Sequence, residues 1–197
     1  MPRRYSLGKR KDQKDATRDR IVASAADLFR VQGATGTSVA QVAAAADVAP
    51  GTVRNHFPST DDLAAAVAEH VMALLQMPGE EVFDGIDDPP ARVAALARAM
   101  AAYYERSQPW YRMAELDDRP LAAWAAARAC YDAEYDALVG AALGVFGDDE
   151  EAVAVVAGLL DPGVYGALAR RGRSVTDYAV LIGTLLGPWL AARAVRR

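Results

Sequence analysis

Residues 38–57 read SVAQVAAAADVAPGTVRNHF, and this stretch decides the fold. Its apolar positions recur at helical spacing and are broken by Asp47-Val48-Ala49 just before Pro50. Pro is well placed in the first turn of a helix, where its missing N–H costs little. The pattern therefore predicts two short helices, 38–46 and 50–57, joined by a tight turn. Thr37 or Ser38 caps the first. Phe57-Pro58 ends the second, because a residue before Pro disfavours helix. Val42, Ala43, Ala46, Val48, Val53 and Phe57 supply a small apolar core, and Ala43–Ala46 let the helices cross closely. Pro50, Gly51, Thr52, Arg54, Asn55 and His56 are left facing outward or sideways. They are donors and short side chains, as a helix entering a DNA major groove requires, with Arg suited to guanine O6/N7 and Asn to adenine N6/N7.

Working outward, Ile21, Ala25, Leu28 and Phe29 form one face of a helix over 16–32, and Gly33 suits the residue after its end. Ser59, followed by Asp61 and Asp62, caps a helix running to about 77. Pro78–Pro90 reads as an acidic loop. Helices then follow over 91–107, 109–116, 120–143, 150–171 and 175–193, so the chain reads as all-α with about nine helices and almost no alternating pattern. The expected organisation is a disordered basic arm over 1–15, a helix-turn-helix domain over 16–60, and a helical ligand-binding and dimerisation domain over 61–197.

The wider segment, about 17–63, resembles the N-terminal domain of the tetracycline-repressor (TetR) family. The resemblance rests on Leu28-Phe29 and Gly33, Thr37-Ser38-Val39, the Ala-x-x-Ala-x-Val turn, Gly51-Thr52-Val53, His56-Phe57, and Ser59 followed by acidic residues and Leu63. It implies a ligand-responsive transcription regulator, by family default a repressor. Such a protein binds a near-palindromic operator as a homodimer and is released by a small effector. Four departures bear on the operator sequence rather than on the fold. Ala49 replaces a capping Ser, Arg54 and Asn55 stand where aromatic residues are common, Thr60 stands in place of a phosphate-touching Lys, and Ala40 occupies a position where some members place a base-reading Arg. Thr37, Ser38 and Thr60 join the outward residues of 50–56 as expected DNA contacts.

The charge distribution agrees. Net charge is −4, but residues 1–60 carry ten Lys/Arg and five Asp/Glu, for +5, while residues 61–197 carry −9. A basic head on an acidic body is a local footprint for phosphate. Lys9, Arg10, Lys11 and Lys14 in the arm are expected to follow the DNA backbone or enter a minor groove.

Beyond residue 65 the family likeness is one of layout. Tyr103, Tyr104, Trp110, Tyr111, Met113, Trp124, Tyr131 and Tyr135 suit a largely apolar pocket with a few polar tips, and so an apolar or aromatic effector, although core packing explains each residue singly. Val156, Leu160, Val164 and Leu168 in one late helix, and Leu181, Ile182, Leu185 and Trp189 in the next, are apolar at helical spacing. The resemblance assigns this pair to dimerisation.

No metal or cofactor is expected: His56 and His70 are the two histidines, no Cys/His cluster has zinc spacing, and no P-loop, Rossmann fingerprint or nucleophile elbow occurs. Cys130 is the single cysteine and reads as a small buried residue; a cytoplasmic location fits it. The run Tyr178–Val195 comes closest to a membrane span but is interrupted by Thr184, Pro188 and Arg193. Two rival readings stand beside the regulator: an interaction protein with a degenerate DNA-binding head, against which Arg54, Asn55 and the basic arm count, and an all-helical enzyme, against which the lack of a paired acid/base constellation counts.

Overall fold

A computed structural model gives the fold. It describes the backbone except at residues 1, 2, 112, 114, 115, 118, 120 and 195–197, and the side chains of that backbone except at 3–10, 111 and 194. Nine α-helices and no strand occur among the described residues: α1 (Arg3–Gln32), α2 (Val39–Ala45), α3 (Pro50–His56), α4 (Thr60–Leu75), α5 (Pro89–Tyr111), α6 (Ala122–Leu143), α7 (Glu150–Leu159), α8 (Pro162–Ala169) and α9 (Val175–Ala194). Short 3-10 turns lie at Glu80–Phe83 and Gly144–Phe146.

The chain forms two compact units. One contains residues 1–74 and 109–128, the other 75–108 and 129–197. This differs from the expected division at residue 60, because a return segment from the middle of the chain packs with the N-terminal helices. In the first unit Ile21, Ala25, Phe29, Ala34, Val42, Ala43, Ala46 and Val53 are buried. Trp124, from the first turn of α6, sets its ring edge-on to Phe29 at 6.4 Å. Arg30 lies over the Trp110 ring at 5.7 Å. Nothing local in 109–128 announces these partners, which are about 80 or more residues away in sequence.

Three helix boundaries differ from the sequence reading. The arm expected over 1–15 is helical from residue 3 on: α1 begins at Arg3. Lys, Arg, Gln and Ala, which dominate residues 9–20, are good helix formers, so an existing helix extends through them at little cost. Pro109 does not open a new helix but sits in the last turn of α5, after which single turns continue through Met113 N–H to Trp110 O (3.0 Å) and Leu116 N–H to Met113 O (3.2 Å). The helix expected over 150–171 is two helices. Pro162 cannot donate and restricts the residue before it. Asp161 turns the chain there, and its carboxylate accepts from Gly163 N–H at 2.7 Å.

In the second unit the acidic loop is anchored rather than loose. Phe83 is buried, and the Arg92 guanidinium lies 4.5 Å over its ring. In the same unit Asp149 caps α7 through Ala152 N–H (3.1 Å). It also receives the Arg193 fork from α9 at 2.8 and 2.9 Å, with Glu151 as a further partner. These carboxylates hold the Arg193 guanidinium well above its ordinary range, so it stays charged. Cys130, expected to be buried, is exposed, with its thiol 3.6 Å from a Glu134 carboxylate oxygen.

Candidate nucleic-acid interface and aromatic site

The start of α2 is fixed by a reciprocal cap. Ser38 Oγ accepts from Gln41 N–H at 3.2 Å, and Gln41 Oε1 accepts from Ser38 N–H at 2.8 Å. Ser38 is therefore the cap, and Thr37 serves differently: its hydroxyl donates to Gly33 O at 2.6 Å and accepts from Gln32 Nε2 at 3.1 Å. Both hydroxyl protons are engaged inside the head, since Ser38 Oγ also donates to Gln41 Oε1 at 2.8 Å. Either side chain must exchange a partner before donating to phosphate.

The turn from α2 to α3 passes through Asp47 at φ 52°, a conformation that Asp tolerates better than most residues. Arg20 Nε donates to Ala46 O at 2.9 Å and closes the end of α2. Helix α3 has no side-chain cap at Ala49, as the sequence suggests, and starts on Pro50. Val53 and Phe57 point inward and are 1% and 5% exposed. Pro50, Gly51, Arg54 and Asn55 are exposed, and Thr52 and His56 are half-buried. A Cβ at Gly51 would meet nothing within 4 Å, so this glycine leaves open space on the outer side of α3 that packing does not require.

Helix α4 has the second reciprocal cap: Ser59 N–H and Oγ both donate to Asp62 Oδ2, at 3.0 and 2.7 Å, and Ser59 Oγ accepts from Asp62 N–H at 3.0 Å. Thr60, next to it, is exposed. A concavity of about 220 Å³ brings these elements together. Phe29, Val42, Val53, Phe57 and Leu63 are its buried lining; Thr37, Arg54, Ser59 and Thr60 are its accessible lining. Three of the expected DNA contacts thus share one depression between α2, α3 and the start of α4. Lys11 and Lys14 are exposed on α1, and the side chains of Lys9 and Arg10 lie outside the described residues.

The expected pocket residues separate. Tyr103, Tyr104, Tyr131 and Tyr135 belong to the second unit, whereas Trp110, Met113 and Trp124 belong to the first, where Trp110 and Trp124 pack on α1. The Tyr111 side chain lies outside the described residues. The tyrosines do cluster, and two that were not expected in the pocket, Tyr165 and Tyr178, join them. Tyr103 stacks on Tyr131 (6.1 Å) and Tyr131 on Tyr135 (5.8 Å), while Tyr165 bridges Tyr104 (5.7 Å) and Tyr178 (5.5 Å).

The break at Pro162 explains the cluster. The last carbonyls of a helix lack intrahelical partners. At the end of α7 tyrosine hydroxyls supply them: Tyr135 donates to Ala157 O (2.6 Å), Tyr178 to Leu159 O (3.0 Å) and Tyr104 to Leu160 O (2.8 Å). Burial pushes the Tyr135 and Tyr178 phenols above their ordinary range; for Tyr135 the neighbouring Tyr178 and for both Asp161 add to this.

Of the residues expected at a dimer interface, Val156, Leu160 and Ile182 are 0%, 0% and 1% exposed and already belong to the core of their own chain. The period of α9 was legible but not which of its faces is turned inward. Val164, Leu168 and Trp189 are half-buried. Leu181 and Leu185 are 40% and 51% exposed, with Val180 beside them at 62%.

The family model for bacterial regulatory proteins of the tetR family matches residues 21–67. Solved structures with the same fold include a Pseudomonas aeruginosa PAO1 transcriptional regulator (16% identity, TM-score 0.66, covering 91% of this chain and 92% of that one). A Clostridium perfringens protein described as a fatty acid metabolism regulator is similar at 16% identity and TM-score 0.61, covering 83% and 94%. A tetR family transcription regulator from Shewanella sp. PV-4 is similar at 18% identity and TM-score 0.52, covering 86% and 97%. No curated protein sequence matches the chain.

Proposed function

We propose that this TetR-family regulator, a DNA-binding protein of transcription, acts as a homodimeric repressor on a near-palindromic operator and is released by a small apolar or aromatic effector. The observation that carries the reading is the outer surface of α3. Arg54 and Asn55 are exposed there beside an open Gly51, while Val53 and Phe57 anchor the helix from behind. Arg54 pairs with a guanine edge and Asn55 with an adenine edge. Thr60 contacts phosphate, and Thr37 and Ser38 do so once they release an internal partner. The protein works as a regulator rather than an enzyme, in the cytoplasm where its DNA lies.

The dimer reading is supported by the last helices. Residues 150–169 and 175–193 have mean hydropathies of 1.6 and 1.3, yet only 22% and 28% of their apolar windows are buried within the chain. Pro162 interrupts the first stretch. The outward Val180, Leu181 and Leu185 then meet their copies across a two-fold axis. The effector reading is supported by the tyrosine cluster at the end of α7. A ligand with its own donors competes there with the phenols for the carbonyls of Ala157, Leu159 and Leu160.

Selection of bound sequences from a random DNA pool at physiological salt tests the whole. A recovered near-palindrome, with half-sites about 34 Å apart along the duplex, is expected for two heads related by a two-fold axis. No enrichment at low salt as well would refute DNA regulation and favour a protein-interaction role for the head.

A further inference from the structure

We propose that α1 carries a second DNA-contacting surface, a stripe of cations fixed by the helix that lies along the phosphate backbone beside the groove read by α3; this rests on the DNA-binding reading above.

Among the described side chains of α1, burial begins at Ile21. Ile21, Val22, Ala25 and Phe29 are buried, whereas Lys11–Ala16 and Arg18–Arg20 are exposed. At 3.6 residues per turn, Lys11, Lys14 and Arg18 fall within an arc of roughly 60°. Asp12, Asp15 and Asp19 lie on the neighbouring arc. Among the described residues neither Lys11 nor Lys14 is held in an ion pair. The stripe continues the same face that carries Ile21, Val22, Ala25 and Phe29 farther along the helix. The face changes from apolar to cationic where the head's core ends.

Arg18 marks where the stripe begins. Its guanidinium lies 5.3 Å over the ring of Phe57, the residue that ends α3. From Arg18 back to Lys11 the helix runs about 10 Å at 1.5 Å per residue, roughly a third of the ~34 Å helical turn of duplex DNA. Like charges gathered on one exposed arc of α1 repel each other; phosphates relieve this, and the cations in turn release counterions condensed on the duplex. A continuous helix makes the contact depend on rotational register, which a flexible tail would not.

The test measures operator affinity against salt for the full chain. K11Q/K14Q changes two exposed residues outside the head's core. It is expected to lower the slope of log K against log salt by about 0.9 per lost contact, so nearly 2 per head, and to weaken specific and random DNA equally. R98Q, an exposed cation in the second unit, serves as control and is expected to leave the slope unchanged. A second variant inserts two alanines between Asp15 and Ala16, which turns residues 3–15 by about 200° without changing any charge. It is expected to reproduce the K11Q/K14Q loss, with circular dichroism showing retained helix. An unchanged slope in K11Q/K14Q would overturn the contact, and undiminished binding by the insertion variant would overturn the fixed register. Absence of binding by the parent protein at low salt would instead refute the DNA-binding reading itself.

Discussion

Asp117 grips Thr35 twice: its Oδ1 accepts the Thr35 backbone N–H at 2.7 Å and the Thr35 hydroxyl at 3.0 Å, across 82 residues of sequence. Its other oxygen accepts the indole N–H of Trp124 at 2.6 Å. The same approach explains Gly33. A Cβ there would lie 2.7 Å from Asp117 Oδ1 and 3.0 Å from Leu116 O, and φ is +76°. One carboxylate therefore ties the return segment to the turn that enters the helix-turn-helix. Asp117→Ala is expected to destabilise the protein by about 1–3 kcal/mol, since it orphans donors that a half-buried carboxylate satisfied. In a double-mutant cycle with Thr35→Ser, which keeps both donors, the coupling should be close to zero; with Thr35→Ala the double variant should lose clearly less stability than the sum of the two single losses. Denaturant unfolding measures both, and an unperturbed midpoint in Asp117→Ala would show that the bonds contribute nothing net.

Arg54 is exposed on α3 and, on the proposed reading, meets a base edge. Arg54→Ala should weaken specific binding by about 1–3 kcal/mol and relax the preference at one base position. Titration on the selected operator and on random DNA decides the point: equal loss on both would mean that Arg54 touches only phosphate.

Gly51 separates stability from binding. A methyl group there meets nothing within 4 Å and the backbone is not left-handed, so Gly51→Ala should stabilise α3 by about 0.5–1 kcal/mol through the lost backbone entropy of glycine. Operator affinity should fall if DNA approaches the bare backbone. A thermal melt paired with a binding titration reads both, and a variant that is more stable and binds as well would remove Gly51 from the contact surface.

The phenols of Tyr135 and Tyr178 predict alkaline lability. Their folded-state pKa values lie above the ordinary one because burial, chiefly, opposes the phenolate. For such a group the stabilising contribution is fully present below the unfolded pKa of about 10 and is lost as pH rises towards the folded value. The melting temperature should therefore drop more steeply above about pH 10 than between pH 7 and 9. The Tyr135→Phe/Tyr178→Phe variant should start lower at neutral pH, having lost two carbonyl partners at the end of α7, and show a shallower alkaline fall. Parallel curves for the two proteins would mean that other groups govern the base limit.

What the sequence determined by itself is the local part. Helical spacing of apolar residues, Ser38 and Ser59 at caps, Pro50 at a first turn and Gly33 after a helix end are read from neighbours within one or two turns, and they place the helix-turn-helix and its outward side chains. The Asp161-Pro162 break belongs to the same class, although the apolar period running through it hides it. The tertiary structure decided everything that depends on partners far apart in the chain. The period of α9 does not say which face its own chain will bury, so Ile182 and Leu185 look alike until packing separates them. Trp110 and Trp124 read as pocket aromatics, yet they close on α1, because an indole has no sequence-local signal for its partner. Tyr178 enters the cluster because a carbonyl at a broken helix takes its hydroxyl, and Tyr165 because its ring bridges Tyr104 and Tyr178. Asp117 looks like any loop acid until its oxygens meet Thr35 and Trp124.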